Sequence, residues 1–171
     1  MAHISISPAL QELIDALCGL PGIGPKTAQR MSFQLLCESG RQKGHVLSSA
    51  LKNALERITL CSQCRGYTEQ TTCQLCQSPK RDRTKLCVVE TPADILAIEH
   101  THSFQGLYFV LHGRLSPLDG IGPQEIGIPQ LLKHVQEQAI KELIIATNPT
   151  MEGKATAHYI ANSIKNKRNS F

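Results

Sequence analysis

The chain has 171 residues, 41% hydrophobic and 19% charged, with a formal net charge of +4. This is the composition of an ordinary globular protein with room for one domain or two small ones; no low-complexity segment or internal repeat is present. No apolar run approaches a membrane span and "MAHISISPALQEL" lacks a basic region followed by an apolar core, so a cytoplasmic chain is expected, in which seven cysteines point to metal binding or burial before disulfides.

The charge is unevenly placed. Residues 1–85 carry eleven Lys and Arg against six Asp and Glu, whereas residues 86–171 carry seven against eight. The front half is therefore suited to an anionic partner such as nucleic acid, although a solvated surface rich in lysine has the same count.

In chain order, Ser7-Pro8 predicts a helix start, and Leu10, Leu13, Ile14, Leu17 and Leu20 fall at helical spacing. Ala28, Met31, Leu35 and Leu36 predict a second helix. Between them "LPGIGPKTA" places Gly22 and Gly24 where no Cβ holds a phosphate away, Pro25 at the first helical position, and Lys26 and Arg30 one turn apart. A helix-hairpin-helix that grips a sugar–phosphate backbone has this logic; a tight turn between packed helices is the plainer alternative. A third helix is expected from about His45 to Leu60, with Val46, Leu47, Ala50, Leu51, Ala54, Leu55 and Ile58 on one stripe.

Cys61-x2-Cys64 and Cys73-x2-Cys76 follow, two identical knuckles eight residues apart. Four thiolates closing a tetrahedral site suit a structural zinc ion with no open coordination position. Two disulfides or four buried thiols are the alternative. Cys18, Cys37 and Cys87 lie on apolar faces and read as core.

After the basic connector "SPKRDRTK" the texture alternates. Strands are expected at "LCVVE", "GLYFVLHG" and "ELIIATN", and helices at "PADILAIEHT", "IPQLLKHVQEQAIK" and "EGKATAHYIANSIKN". Such alternation predicts a parallel sheet covered on both faces, with a ligand or partner crevice beyond the strand ends. Glu90, Asp94, Asp119, Asn148 and Glu152 are its polar candidates, Asp94 and Asp119 being read as helix-cap or loop acids. The segment 114–129, opened by Arg114, is too long and too rich in Gly and Pro for a routine connector. The scattered histidines carry no assigned role.

Taken together, "GLPGIGPKTAQRM", the four cysteines, "VVE", "LHGRLSPLDGIGP" and "ATNPTMEGKATAHYI" resemble the RecR family of bacterial recombination mediator proteins from about Pro8 to Ile160. The resemblance implies an α + α/β chain in four parts: a helix-hairpin-helix region (1–60), a four-cysteine zinc finger (61–76), the connector (77–85) and a Toprim-like α/β domain (86–171). It also implies a ring-shaped tetramer clamping DNA in repair, RecO and RecF as partners, and a bacterial, nucleoid-associated location. In that family the amino-terminal helices serve oligomer contacts as well as DNA. The family continues beyond this chain's end with a further strand, so a sheet short of its last strand or strands, and a truncated product, are expected.

Toprim enzymes hold Mg²⁺ with a Glu after the first strand and an Asp-x-Asp after the third. Glu90 matches the first position, but the second reads Asn148-Pro149-Thr150, with Glu152 in the following helix. No tyrosine stands where strand passage needs one. The expectation is a non-catalytic DNA-binding scaffold, against a Mg²⁺-dependent nuclease or primase-type enzyme and against a pure protein-interaction adaptor.

Overall fold

The computed structural model describes residues 7–138 and 140–168. The two ends of the chain, on which the reading of the amino-terminal leader and of the final "NSF" falls, lie outside the described residues. The chain divides into two compact units, 1–57 and 58–171.

The first unit holds α1 (Pro8–Cys18), α2 (Pro25–Leu36) and α3 (Arg41–Arg57). Pro8 and Pro25 occupy first helical positions, where a missing N–H costs nothing. Ser7 caps α1 only through its carbonyl, which accepts from Leu10 N–H at 2.9 Å and Gln11 N–H at 3.0 Å; the expected side-chain cap is not made. Ile14, Ala28 and Ser32 are buried, Ser32 donating its hydroxyl to the Ala28 carbonyl at 2.9 Å. Two expectations fail here. Cys37, read as core, is exposed at the carboxyl end of α2. The third helix begins at Arg41 and buries none of its residues: Val46, Leu47, Leu51 and Leu55 are 50–75% exposed. Periodicity identifies an apolar face without identifying what covers it.

In the second unit β1 (Thr59–Leu60) pairs antiparallel with β2 (Tyr67–Thr68), and α4 (Gln74–Gln77) completes a small module. The module leads into β3 (Asp82–Val89), α5 (Pro92–His100), β4 (Gly106–Val110), α6 (Ile128–Glu137), β5 (Glu142–Ala146) and α7 (Met151–Arg168). The strands form a parallel sheet in the order β4-β3-β5, with Cys87 opposite Tyr108 on one side and Ile144 on the other. β3 is central and apolar on both faces. Leu86 and Val88 meet Leu107, Phe109, Leu131 and Ile160 on one face; Cys87 and Val89 meet Ile95, Tyr108 and Val110 on the other, with Leu75 of the cysteine module packed alongside. The sheet is covered on both faces, as expected, but only partly over β5, where Ile144 remains 36% exposed.

The connector is not a free basic run. Its second half, Asp82–Lys85, is strand, so β3 starts four residues before "LCVVE". Arg81 turns inward: its Nη1 donates to the Phe104 and Gly106 carbonyls at 3.3 Å, and the guanidinium forms a two-pronged pair with Glu99. Tyr108 donates to the same carboxylate at 2.6 Å. These donors hold the Glu99 carboxyl below its ordinary range, Arg81 contributing most. Asp94 accepts from the Thr91 N–H and hydroxyl at 2.7 and 2.9 Å, capping α5.

The contrast between units has a thermodynamic signature. Leu131→Ala, at 0% exposure, is expected to cost about 2–5 kcal/mol in urea unfolding. Leu51→Ala should cost no more than about 0.5 kcal/mol in the dilute chain; a loss of core size there would mean that the stripe is covered within one copy.

Candidate functional site

Three groups of residues concentrate the chemistry. The first is the cysteine cluster. Cys61, Cys64, Cys73 and Cys76 bring their sulfurs within 4.8 Å of one another, Cys73 half-buried and the others at most 2% exposed. The first knuckle is closed by Arg65 N–H to the Cys61 carbonyl at 2.9 Å and by Gly66 N–H to Cys64 Sγ at 3.3 Å. The second sits on α4, capped by Cys73, whose N–H donates to Cys61 Sγ at 3.3 Å. Amides aimed at sulfur favour thiolates. The Cys64 thiol is drawn down to about 5, chiefly by the hydrogen bond from Cys76, while Cys76, the donor in that bond and buried, is pushed up. Tetrahedral zinc bonds of about 2.3 Å place ligand sulfurs about 3.8 Å apart. The Cys64–Cys73 separation is 3.5 Å, and the cluster fits such an ion.

The second group is the turn between α1 and α2. Gly22, Gly24, Lys26 and Arg30 all lie on an exposed surface. Gly22 sits at φ +80, which glycine alone adopts without strain, and Ile23 N–H closes the turn onto the Leu20 carbonyl at 3.1 Å. Gly24 has φ −85 and ψ 168, extended backbone open to any residue, so the turn requires glycine at 22 and not at 24. A Cβ at either position would meet nothing within 4 Å, so the space beside both glycines is open; the first-turn amides of α2, as in any helix, have no partner within the helix.

The third is the strand-end crevice. Glu90, 3% exposed, follows β3 and accepts from Asn148 twice, N–H to Oε1 at 2.9 Å and Nδ2 to Oε2 at 2.6 Å. Glu152 does not join them: it is exposed on the first turn of α7. Arg114 is likewise exposed. The sequence reading missed Gly153, where a Cβ would lie 2.1 Å from the Asn148 carbonyl oxygen and 3.0 Å from Glu90 Oε1. A glycine inside the helix "EGKAT" was the available signal. It also missed buried Thr156, whose hydroxyl donates to the Glu152 carbonyl at 2.7 Å and accepts Leu115 N–H at 2.9 Å, tying the long loop to α7. Among the described residues no helix is long and apolar enough to cross a membrane.

This pairing of a helical hairpin unit with a cysteine module fused to a parallel α/β sheet matches known families. Residues 10–55 match the family described as RecR, helix-hairpin-helix, and residues 84–170 match the Toprim domain. The chain is 63% identical to a recombination protein RecR of Coxiella burnetii, over 92% of this chain and 79% of that protein. It is 54% identical to the protein so named in Methylococcus capsulatus (90% and 77% covered) and 52% identical to that of Legionella pneumophila (93% and 79%). The chain belongs to the RecR family of recombination proteins.

The Glu90–Asn148 contact is testable. Asn148→Asp keeps the main-chain donor but sets a second carboxylate against Glu90, and should cost about 1–3 kcal/mol at pH 7.5. Like charges raise the pKa of one acid of the pair, so the loss should shrink as pH falls and a proton is shared; millimolar Mg²⁺ should restore part of it. Thermal unfolding at pH 5 and 7.5, with and without Mg²⁺, checks this, and equal stability of both chains at pH 7.5 would refute it.

Proposed function

We propose that this chain is a DNA-binding recombination mediator in repair that grips DNA without reading its sequence and catalyses nothing itself. The observation that carries the reading is the α1–α2 turn: two exposed glycines, open space above them, the positive end of α2 and the cations Lys26 and Arg30 on one surface. Contacts of this kind fall on phosphate and release counterions. Zinc, one per chain on Cys61, Cys64, Cys73 and Cys76, has a structural role. Asn148 and Glu152 belong to a partner surface beneath which Glu90 lies buried: with both Glu90 oxygens occupied by Asn148, the crevice offers no free pair of carboxylates to Mg²⁺. The exposed stripe on α3 supports assembly with further copies, and the resemblance suggests a ring-shaped tetramer acting with RecO and RecF in the bacterial cytoplasm, associated with the nucleoid.

Two experiments test the core of this reading. Affinity for random-sequence DNA should fall steeply with salt, and Lys26→Ala should lower the salt slope by about one while weakening all sequences alike. If Lys26→Ala and Gly22→Val bind as the parent does while the oligomer dissociates, the turn is an assembly joint and the DNA reading is lost. Metal analysis should find one zinc per chain, and Cys64→Ser should release it and unfold the module, since structural zinc supplies folding energy. Protein purified without chelators and found free of zinc would refute the metal.

A further inference from the structure

We propose that Arg65 and His112 form a latch through which the cysteine module sets the position of residues 112–127, the long segment at the carboxyl end of the sheet. Only the metal arm of its test rests on the zinc reading above.

The module is bound to β4 through the main chain, Val110 N–H donating to the Cys64 carbonyl at 2.8 Å. Beyond that bond, Arg65 at φ 60 and His112 at φ 61 both occupy the left-handed region. Neither is a glycine, and such backbone persists only where its surroundings over-determine it. Here each residue determines the other. His112 Nε2 lies 2.6 Å from the Arg65 carbonyl oxygen, so the ring nitrogen carries the proton and donates. The Arg65 side chain then reaches the other end of the segment: Nη1 donates to the Ile126 carbonyl at 2.9 Å, and the guanidinium carbon lies 5.7 Å from the centre of the Phe109 ring. Gly127, at φ +72, makes room, for a Cβ there would lie 1.6 Å from Nη1. One residue next to a cysteine ligand thus holds both ends of 112–127. The bonds also continue inward: Gly113 N–H donates to the Glu90 carbonyl at 3.1 Å, and the Glu90 side chain accepts from Asn148. A displaced knuckle would therefore be felt at the crevice.

Hydrogen exchange on the zinc-loaded full chain tests the latch, because 112–127 can be compared with β3 in the same molecule. Removing zinc with a chelator should raise exchange in 112–127 by about tenfold or more while Leu86–Val89 stay protected. Arg65→Met should give the same rise with its zinc still bound. His112→Ala, far in sequence from the cysteines, should bind zinc at least about fivefold more weakly in equilibrium competition with a chelator, as reciprocal coupling requires. Unchanged exchange in 112–127 for Arg65→Met overturns the latch, and so does parental zinc affinity in His112→Ala. If the parent takes up no zinc, the metal reading fails instead and the Arg65→Met exchange alone decides the latch. Should Arg65→Met not fold, Arg65→Lys keeps the charge, loses the planar fork and carries the same test.

Discussion

Four cysteine sulfurs crowded within 4.8 Å form an arrangement that a short chain does not hold by packing alone. The segment from Thr59 to Gln77 contains a hairpin of two-residue strands and a four-residue helix, too little to bury a core of its own. Its order has two sources: what the sulfurs share, and what the module shares with the sheet. The second is substantial. Leu75 enters the core around Val89 and Tyr108, the Cys64 carbonyl accepts from Val110, and Arg83 Nη2 donates to the Cys76 carbonyl at 3.2 Å. The module covers part of one sheet face, and the sheet in turn holds the module's main chain.

The first unit follows another economy. With Ile14, Ala28, Ser32 and Gly40 as its buried residues among those described, and a 17-residue helix that buries none, it has little apolar surface removed from water to oppose the entropy of ordering its chain. Its helices are short of partners on the face that the heptad-like run Val46, Leu47, Leu51 and Leu55 marks as apolar. A helix with such a face is stabilised mainly by what packs on it. The same unit presents the glycine turn, so any partner that orders α3 also steadies the surface on which Lys26 and Arg30 stand. A partner on α3 and a ligand on the turn would therefore be thermodynamically linked even where they use different faces of the helices.

Legibility in the sequence followed the strength of the local signal. The knuckles were readable because ligand spacing is a chemical constraint, and the three parallel strands because β3 and β4 are apolar on both faces. Pro25 and Gly22 announced their turn by conformational necessity; Gly24, equally conspicuous in the sequence, turned out to stand in ordinary extended backbone. The α3 stripe was visible but its surroundings were not, since period 3.6 looks the same under a core and under water. Cys37 misled for the same reason. Arg65 and His112 were invisible because 47 residues separate them, and neither their left-handed backbone nor their hydrogen bond leaves a local trace. Arg81 looked like part of a basic connector, whereas its partner Glu99 lies 18 residues away on α5.

The crevice shows how much turns on the polarity of a single group. A carboxylate at 148 would be an acceptor facing an acceptor, and two such groups at the end of a sheet need a cation or a shared proton. A carboxamide donates instead, so Glu90 is satisfied by the protein alone through Nδ2 and the main-chain N–H of the same residue. Gly153 completes the arrangement by letting the start of α7 approach without a Cβ. Both Glu90 oxygens are thus engaged by Asn148, and the carboxylate ties the end of β3 to the connection between β5 and α7. Glu152, Arg114, Leu118 and Met151 are exposed and take no part in this pairing.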